Sequence, residues 1–393
     1  LDMNLKEDGF AVKIRKNLPN KKLFLHPEEE NTYDWLILTG EKGKRDGFNT
    51  AVILDKHVFI AGYKETKKNI IDRYLIKVDL SNGDILWSQS FPSSKNGRSG
   101  AFESVVITNK TGLLLTGVTN ASYDAMEGFK SYGNPTDGNA FSMYFSNDLL
   151  ISKTSPEEPS WEKEYKNLLT GKSIKRIGNT NEFLIASSTN EPMVAKVLKI
   201  KEDGTTVWNK RYPQHGELTD IAVTIDGYFL SGHKESFNGG IDGSITKISP
   251  NGIVIWNKVF GNPEGGTNTF FSDYIVSNEL IFDECWSIAN MNNSGVVVAC
   301  GTGIEECYTL SGQKRRDCEK DPRKTWRSYL VNINFDGDII WEKTGSFVFP
   351  GEEDSEYLAS VAAEWVFINS KGQIASVNDL EFGIGLEIIE LDK

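Results

Sequence analysis

The sequence predicts an all-β fold, because two features recur six times in the same order along its 393 residues, with tight-turn signals between them. The first feature is a short strand-like run that ends in a tryptophan. The second is an apolar strand that closes on two small residues. In four of the six units a glycine lies four residues before the tryptophan, within a turn. The tryptophans are Trp87, Trp208, Trp256 and Trp341, with Trp35 and Trp161 as looser copies.

The second feature lies ahead of every tryptophan run except the one at Trp35, and no tryptophan run follows its last copy. The small residues are Ala61-Gly62, Thr116-Gly117, Ala186-Ser187, Ser231-Gly232, Ala299-Cys300 and Ala375-Ser376.

A complete unit is visible in residues 217–260, where four strand-like runs are separated by turns and a polar loop. Asp226-Gly227 and Pro250-Asn251-Gly252 supply the positive-φ positions of tight hairpins, and the flanking runs are rich in β-branched and aromatic residues. Four antiparallel strands per unit are typical of one propeller blade. We therefore predict a six-bladed β-propeller of four-stranded antiparallel blades.

The chain ends predict how the propeller closes. The last segment offers strands at 359–368, 373–377 and 385–391, and it stops before any tryptophan run. We expect the N-terminal run Tyr33–Thr39, which contains Trp35, to supply the missing strand and remove exposed edges. The run Asp8–Ile14 resembles a third strand and leaves a second arrangement open. The prediction is one domain, residues 1–393, with approximate blades 48–94, 101–166, 171–212, 217–260, 280–346 and 356–393 plus 33–40.

Composition excludes several classes of partner. The formal net charge is −12, which argues against binding to nucleic acid or to an anionic membrane surface. The sequence contains no run near the ~20 apolar residues that a membrane helix needs. We expect a monomer.

All four cysteines fall in one predicted blade. Cys285 begins its first strand and Cys300 ends the second, so antiparallel pairing sets them opposite each other; Cys307 and Cys318 flank a polar insertion. Two disulfides, Cys285–Cys300 and Cys307–Cys318, indicate an oxidising compartment. A zinc site and free thiols stay open as alternatives, although zinc usually takes closer cysteine pairs with nearby histidine.

Other features bear on the compartment. The first residue, Leu1, fits a mature chain whose signal peptide was removed, although a chain shortened by other means would begin in the same way. Glycosylation sequons begin at Asn109, Asn120 and Asn292 and are relevant only in a eukaryotic secretory pathway. We expect a secreted, cell-surface or periplasmic protein.

The unit at residues 217–260, with the run TDIAVTIDGYFLSGHKESFNGGIDGSITKISPNGIVIWNKVFG, resembles the bacterial propeller repeats of the SBBP and delta-60 type. The resemblance covers most of the chain but is nearly complete only in this unit. It implies an exported or surface-attached propeller. The spacing from glycine to tryptophan also resembles quinoprotein dehydrogenase repeats, which have eight blades and an adjacent cysteine pair; this chain has neither, so their cofactor is not expected.

Function is expected on one face of the propeller. The first-to-second and third-to-fourth strand turns are minimal, whereas the second-to-third and blade-to-blade loops are long, and binding groups concentrate on variable loops. Glu103, Asp220 and Glu284 lie at the start of a first strand in three blades and are predicted at the channel mouth, where calcium is a candidate ligand. Asp72, Asp137 and Asp242 precede third strands and are predicted to bond loop amides.

Histidines and aromatic residues complete the predicted site. His215 and His233 belong to one blade and, with Asp242 and Tyr212, could form an acid–base set. Insertions on the same face carry aromatic side chains that either contact a ligand or pack the loops: Tyr123, Phe129, Tyr132, Phe270, Phe271 and Tyr274.

Two functions therefore remain open. One is an exported or cell-surface binding module for a protein or glycan partner, favoured by elaborate loops and the lack of a known catalytic motif. The other is a secreted carbohydrate-active enzyme, a polysaccharide lyase or glycoside hydrolase, that uses the carboxylates at the channel mouth.

Overall fold

The computed structural model describes 14 segments of the chain: residues 10–14, 22–25, 33–38, 44–93, 95–126, 137–189, 194–235, 241–261, 282–291, 294–303, 326–345, 361–369, 371–380 and 383–389. The chain forms two compact units. The first comprises Leu1–Asn17 and Glu30–Pro213, and the second comprises Leu18–Glu29 and Gln214–Lys393. That the two belong to one domain stays a prediction.

The first unit contains a two-stranded sheet and three four-stranded antiparallel sheets. The strands of the two-stranded sheet are β1 (Phe10–Ile14) and β3 (Tyr33–Leu38). The strands of the other sheets are β4 (Asp46–Leu54), β5 (His57–Lys67), β6 (Ile70–Asp79), β7 (Ile85–Phe91), β8 (Ser99–Ile107), β9 (Leu113–Ala121), β10 (Asn139–Phe145), β11 (Trp161–Tyr165), β12 (Gly171–Arg176), β13 (Glu182–Ser188), β14 (Ala195–Lys201) and β15 (Thr206–Tyr212).

The second unit holds the remaining strands. They are β2 (Lys22–Leu25), β16 (Glu217–Val223), β17 (Tyr228–Glu235), β18 (Ile241–Ile248), β19 (Val254–Phe260), β20 (Phe282–Asn290), β21 (Val296–Gly303), β22 (Arg327–Ile333), β23 (Ile339–Gly345), β24 (Val361–Ile368), β25 (Ile374–Leu380) and β26 (Gly383–Ile389).

The repeated four-stranded antiparallel meanders are blades of a β-propeller fold, as predicted. The predicted count of six blades is wrong for the described residues. Four blades stand as separate sheets, namely β4–β7, β8–β11, β12–β15 and the C-terminal blade β24-β25-β26-β2. The strands β16–β19 and β20–β23 merge into one eight-stranded sheet, because Ile241 of β18 pairs in parallel with Phe282 of β20.

The predicted closing strand is also wrong. The strand that contains Trp35, β3, pairs antiparallel with β1, with Phe10 opposite Leu38. The edge of β26 is instead covered by β2, with Lys22 opposite Glu387. The run KLFL of β2 is short, but it offers the apolar residues that an added edge strand needs.

The tryptophan repeat has a packing explanation. In the first unit, Gly204 of the third-to-fourth turn has φ 77°, and a β-carbon there would lie 3.0 Å from the ring of Trp161 in the preceding blade. In the second unit, Gly337 has φ 88°, and a β-carbon there would lie 3.2 Å from the ring of Trp256 and 2.9 Å from Cε of Lys258. Glycine is required because the turn is left-handed and because the tryptophan of the preceding strands packs against it.

Polar contacts reinforce this junction between blades. Lys163, two residues after Trp161, donates from its Nζ to the Gly204 carbonyl at 2.7 Å. The Trp256 indole N–H donates to the Phe335 carbonyl at 3.1 Å. The tryptophans therefore join neighbouring strand sets, as their position relative to the turns predicts.

Buried apolar side chains fill the space between sheets of each unit. In the first unit, Phe91 of β7 packs against Phe102 and Phe145 of the next blade, with ring centroids 6.2 and 5.2 Å apart. The buried Arg73 guanidinium bonds the Glu162 carboxylate at 2.6 Å, so the same two blades also share an ion pair.

In the part of the chain that the structure describes, no helix is long and apolar enough to cross a membrane.

Two connections differ from the predicted loop lengths. The second-to-third connection of the β4–β7 blade is a two-residue turn at Lys68-Asn69, where Asn69 adopts φ 61°; asparagine tolerates this conformation. The third-to-fourth connection of the β8–β11 blade is long and contains the helix α1 (Asn147–Ile151). It packs on the preceding blade, where Lys77 Nζ donates to the Leu150 carbonyl at 2.7 Å.

Candidate functional site

Every first strand of a described four-stranded array carries a β-bulge within it. One residue of the first strand is left over between two consecutive pairs with the second strand, and such bulges re-aim a side chain. The bulge residues are Asn49, Glu103 and Lys172 in the first unit, and Thr219, Trp286 and Glu364 in the second.

The bulge explains the small residues that the sequence repeats. At Gly117 and Gly232, a β-carbon would collide with the carbonyl oxygens of Ala101 and Glu217 on the first strand. The two strands therefore approach too closely there for a side chain at these glycines. In the C-terminal blade the bulge lies opposite Val377 and Asn378, two residues beyond the pair that the sequence suggested.

The residue that follows the bulge links consecutive strand arrays. In the first unit, Ser104 Oγ accepts a hydrogen bond from the Ile174 amide at 3.2 Å. In the second unit, Ser287 Oγ accepts one from the Val366 amide at 3.4 Å. The donor in each case is the residue two positions after the next bulge, so the link is part of the repeat.

Asp220 occupies this linking position in β16. Its Oδ2 accepts hydrogen bonds from the Ile288 amide at 3.1 Å and from Ser287 Oγ at 3.2 Å, and its Oδ1 accepts one from the Ile221 amide at 2.9 Å. The residue is 0% exposed. The sequence placed Asp220 at a channel mouth as a ligand contact; in the structure its carboxylate joins two strand arrays.

Two bulge side chains make a second link. Asn49 Nδ2 donates to the Phe102 carbonyl at 2.7 Å, and Thr219 Oγ1 donates to the Cys285 carbonyl at 2.8 Å. Both acceptors directly precede the next bulge residue. A glutamate carboxylate cannot donate such a bond, so Glu103 departs from this pattern, and Trp286 places a bulky aromatic ring at the same position.

Trp286 lies in a group of polar side chains at the junction of β16–β19 with β20. Its ring meets the imidazole of His233 edge-on, with centroids 5.4 Å apart and planes at 70°. His233 Nε2 lies 3.2 Å from Glu217 Oε2. Glu284, on the same strand as Trp286, is partly exposed. The structure therefore brings the predicted residues His233 and Glu284 into the same strand junction, together with Trp286 and Glu217, which the sequence did not indicate.

His215 is buried beside this group. Its Nδ1 lies 2.6 Å from Ser244 Oγ. Burial lowers its pKa to about 3, with a smaller contribution from His233 and Lys234. The imidazole is therefore neutral at physiological pH, and it is only 1% exposed. In this structure His215 therefore contacts Ser244 and does not reach solvent.

Glu103 belongs to the first unit, whereas Asp220 and Glu284 belong to the second. It is partly exposed and lies near Tyr63. Burial, followed by the charges of Glu103 and Asp46, raises the pKa of Tyr63 to about 12. Tyr63 is therefore a neutral phenol beside two carboxylates.

The aspartates near third strands differ in their contacts. Asp137 Oδ1 accepts from the Ser122 amide at 2.6 Å, which is the predicted loop contact. Asp72 Oδ2 accepts from Thr66 Oγ1 at 2.6 Å. Asp242 is partly buried, and this burial raises its pKa.

Tyr123 folds its loop against the scaffold. Its hydroxyl donates to Glu65 Oε2 at 3.2 Å, and the Arg45 guanidinium lies 4.2 Å from its ring centre. This favours the loop-packing interpretation for Tyr123. The other predicted aromatic residues lie outside the described residues: Phe129, Tyr132, Phe270, Phe271 and Tyr274.

The predicted Cys285–Cys300 disulfide is confirmed. The two residues are directly opposed on β20 and β21, and both are 0% exposed. Cys307 and Cys318 lie outside the described residues, so their pairing stays a prediction. Among the residues that the structure places, no group of three or more His, Cys, Asp or Glu side chains could hold a metal ion; the calcium hypothesis gains no support there.

No protein-family model matches the chain, and no curated protein was found to match it. It is similar in structure to the Neurospora crassa Pan2 WD40 domain, at 10% identity and a TM-score of 0.44, covering 88% of this chain and 76% of that one. It is also similar to the Kuenenia stuttgartiensis hydrazine synthase, at 12% identity and a TM-score of 0.48, covering 82% of this chain and 73% of that one. For the β-propeller domain of the Trilobed protease from Pyrococcus furiosus the corresponding values are 9%, 0.41, 88% and 83%. Similarity at this level carries no inference about what this chain binds or catalyses.

Proposed function

We propose that the chain is an exported or cell-surface β-propeller module that binds a protein or glycan partner through the long-loop ends of its blades. The observation that carries the proposal is the variation at the bulge of the first strands. Asn49 and Thr219 use this position to link blades. Glu103, Glu364 and Trp286 occupy it with a carboxylate or a large aromatic ring in place of the small donor that makes this link, and all three are at least partly exposed. A repeated scaffold that departs from its own rule at solvent-facing positions is expected to do so for function.

Binding accounts for the geometry better than catalysis does. The carbohydrate-active enzyme would use Asp220 as one of its carboxylates. Three hydrogen bonds from buried groups already use that carboxylate. The buried, neutral His215 is also a poor acid–base catalyst in this conformation.

Two observations support export. The Cys285–Cys300 disulfide lies inside a blade, and disulfides persist mainly in oxidising compartments. The resemblance of residues 217–260 to SBBP and delta-60 repeats implies exported or surface-attached relatives. We include Tyr132 and Phe271, from the long insertions, among the residues proposed to contact the partner.

The experiment is a binding screen of the purified chain against a glycan panel and an array of extracellular proteins. Glu284→Gln changes the long-loop end of β20, and Asp338→Asn is its control at a third-to-fourth turn of the same unit. Loss of binding with Glu284→Gln alone supports the proposal. Loss only with Asp338→Asn places the partner on the short-turn ends and contradicts it, as does an absence of binding to both arrays.

A further inference from the structure

Trp286 is one of the partly exposed residues of β20. Along β20 the burial alternates: Phe282, Glu284 and Trp286 are partly exposed, whereas the residues between them are buried. Glu284 and Trp286 are thus partly exposed on either side of the buried Cys285, and the bulge at Trp286 sets the direction of its ring.

The neighbouring strands hold this pair in place. The residue before Trp286, Cys285, is fixed by the disulfide to Cys300, and its carbonyl accepts the hydrogen bond from Thr219. The residue after it, Ser287, donates its hydroxyl to the Asp220 carboxylate. The residues on both sides of Trp286 are therefore held by a disulfide and by hydrogen bonds, as a preorganised binding residue requires.

The surroundings of Trp286 are polar and acidic. One edge of the site is the His233 imidazole, which contacts both the Trp286 ring and the Glu217 carboxylate. Glu284, two residues before Trp286 on the same strand, carries a second carboxylate, which is partly exposed. Ionised carboxylates only accept hydrogen bonds, so they suit a ligand with several hydroxyl donors. The net charge of −12 disfavours an anionic ligand.

We infer that Trp286 is the aromatic platform of a neutral saccharide site. In this site Glu284 accepts hydrogen bonds from sugar hydroxyls, and the Glu217–His233 pair orients the indole ring of Trp286. This inference rests on the proposed function and narrows its partner to a glycan. An aromatic face combined with a few placed polar groups is the usual composition of a small-molecule site. The same chemistry could take a lysine side chain of a protein partner, which the test distinguishes.

The test measures binding of the full chain to a panel of neutral oligosaccharides, with uronic-acid oligosaccharides and an extracellular protein array in parallel. We expect Trp286→Ala to weaken neutral saccharide binding by about tenfold or more, which is about 1.4 kcal/mol or more, because the aromatic contact with the sugar and its buried area are both lost. Trp286→Phe is expected to retain most of the affinity. Trp208→Ala, at a partly exposed tryptophan of an outer strand in the first unit, is the matched control and should bind as the unchanged chain does.

Folding is checked by the thermal midpoint of each variant. If Trp286→Ala lowers that midpoint, Trp286→Leu and Trp286→Phe decide, because both keep a large apolar side chain at this position and only the second keeps an aromatic face. Loss with leucine and recovery with phenylalanine supports the inference.

The inference and the proposed function fail in different ways. Neutral saccharide binding that survives Trp286→Ala overturns the inference and leaves a glycan-binding module. Binding only to uronic-acid oligosaccharides or only to proteins also overturns it and leaves the proposed function. If no oligosaccharide and no protein is bound, both are overturned.

Discussion

Replacing Asp220 separates a structural role from a ligand-binding role for the carboxylates of the first strands. In Asp220→Ala the amides of Ile221 and Ile288 and the hydroxyl of Ser287 lose their acceptor in a buried place. In Asp220→Asn one oxygen remains to accept. Both changes remove the charge, so a site that needs that charge is affected equally by the two.

The expected destabilisation follows from the number of bonds. A buried donor left without a partner costs about 1–3 kcal/mol. Two orphaned amides therefore predict a loss of about 3 kcal/mol or more in the free energy of unfolding for Asp220→Ala. Asp220→Asn should cost about half as much. Ser104→Ala, which removes the single equivalent bond to the Ile174 amide, should cost about 1–2 kcal/mol.

Urea unfolding followed by circular dichroism measures these differences, and binding to the partner found in the screen is measured on the same samples below the transition. The linking role predicts graded loss of stability with binding retained while the protein is folded. Unchanged stability in both Asp220 variants, combined with loss of binding, would refute the reasoning and restore Asp220 as a ligand contact.

Three further outcomes are expected. Replacing Cys285 and Cys300 by alanine should lower the free energy of unfolding by about 3 kcal/mol for a loop of this length. Because both residues are buried, alkylation with mass spectrometry should show that the native disulfide resists dithiothreitol. Rapid reduction of the folded protein would contradict this placement. Gly204→Ala and Gly97→Ala should each cost about 1–2 kcal/mol, because both glycines have positive φ. Only the new β-carbon at residue 204 meets a tryptophan ring, so Gly204→Ala should lower the melting temperature further. Equal decreases in melting temperature would refute the packing of Trp161 against Gly204. The pKa of His215 is depressed to about 3 in the folded state. Its contribution to the free energy of unfolding is therefore complete above the unfolded pKa of about 6.5 and falls by about 2 kcal/mol by pH 5. In urea titrations His215→Asn should remove that part of the pH dependence of stability, and an unchanged pH dependence would contradict the prediction.

The blade pattern was readable from the sequence because its causes are local. A positive-φ glycine in a turn, a tryptophan four residues later and alternating apolar residues each depend on nearby backbone geometry. Gly204 and Gly337 show that the spacing also encodes contact with the preceding tryptophan, which appeared in the sequence only as repetition. The disulfide was predictable for the same reason, since hairpin register sets Cys285 opposite Cys300.

The misjudged features depend on contacts between distant segments. Nothing in the run Lys22–Leu25 indicates that it covers β26, and Trp35 matched the repeat well enough to suggest that role instead. The pairing of Ile241 with Phe282, which merges two strand sets, leaves no sequence signal.

The candidate site was only partly predictable. Asp220, Glu284 and His233 were noticed because of their residue type and position near strand ends. The sequence could not tell that Asp220 faces the amides of the next array. Trp286 does not belong to the tryptophan repeat, whose members lie on outer strands. Its sequence signal is that it is the one large aromatic residue at a bulge position that carries polar residues in the other described blades.

The most direct test of the account is hydrogen–deuterium exchange of the chain with and without its bound partner. The account predicts slower exchange at the long-loop ends of the second unit, in residues 231–235 and 282–286, while the turns at 249–253 and 334–338 exchange as before. Protection confined to those turns, with none at residues 282–286, would contradict the claim that this protein binds its partner through the long-loop ends of its blades.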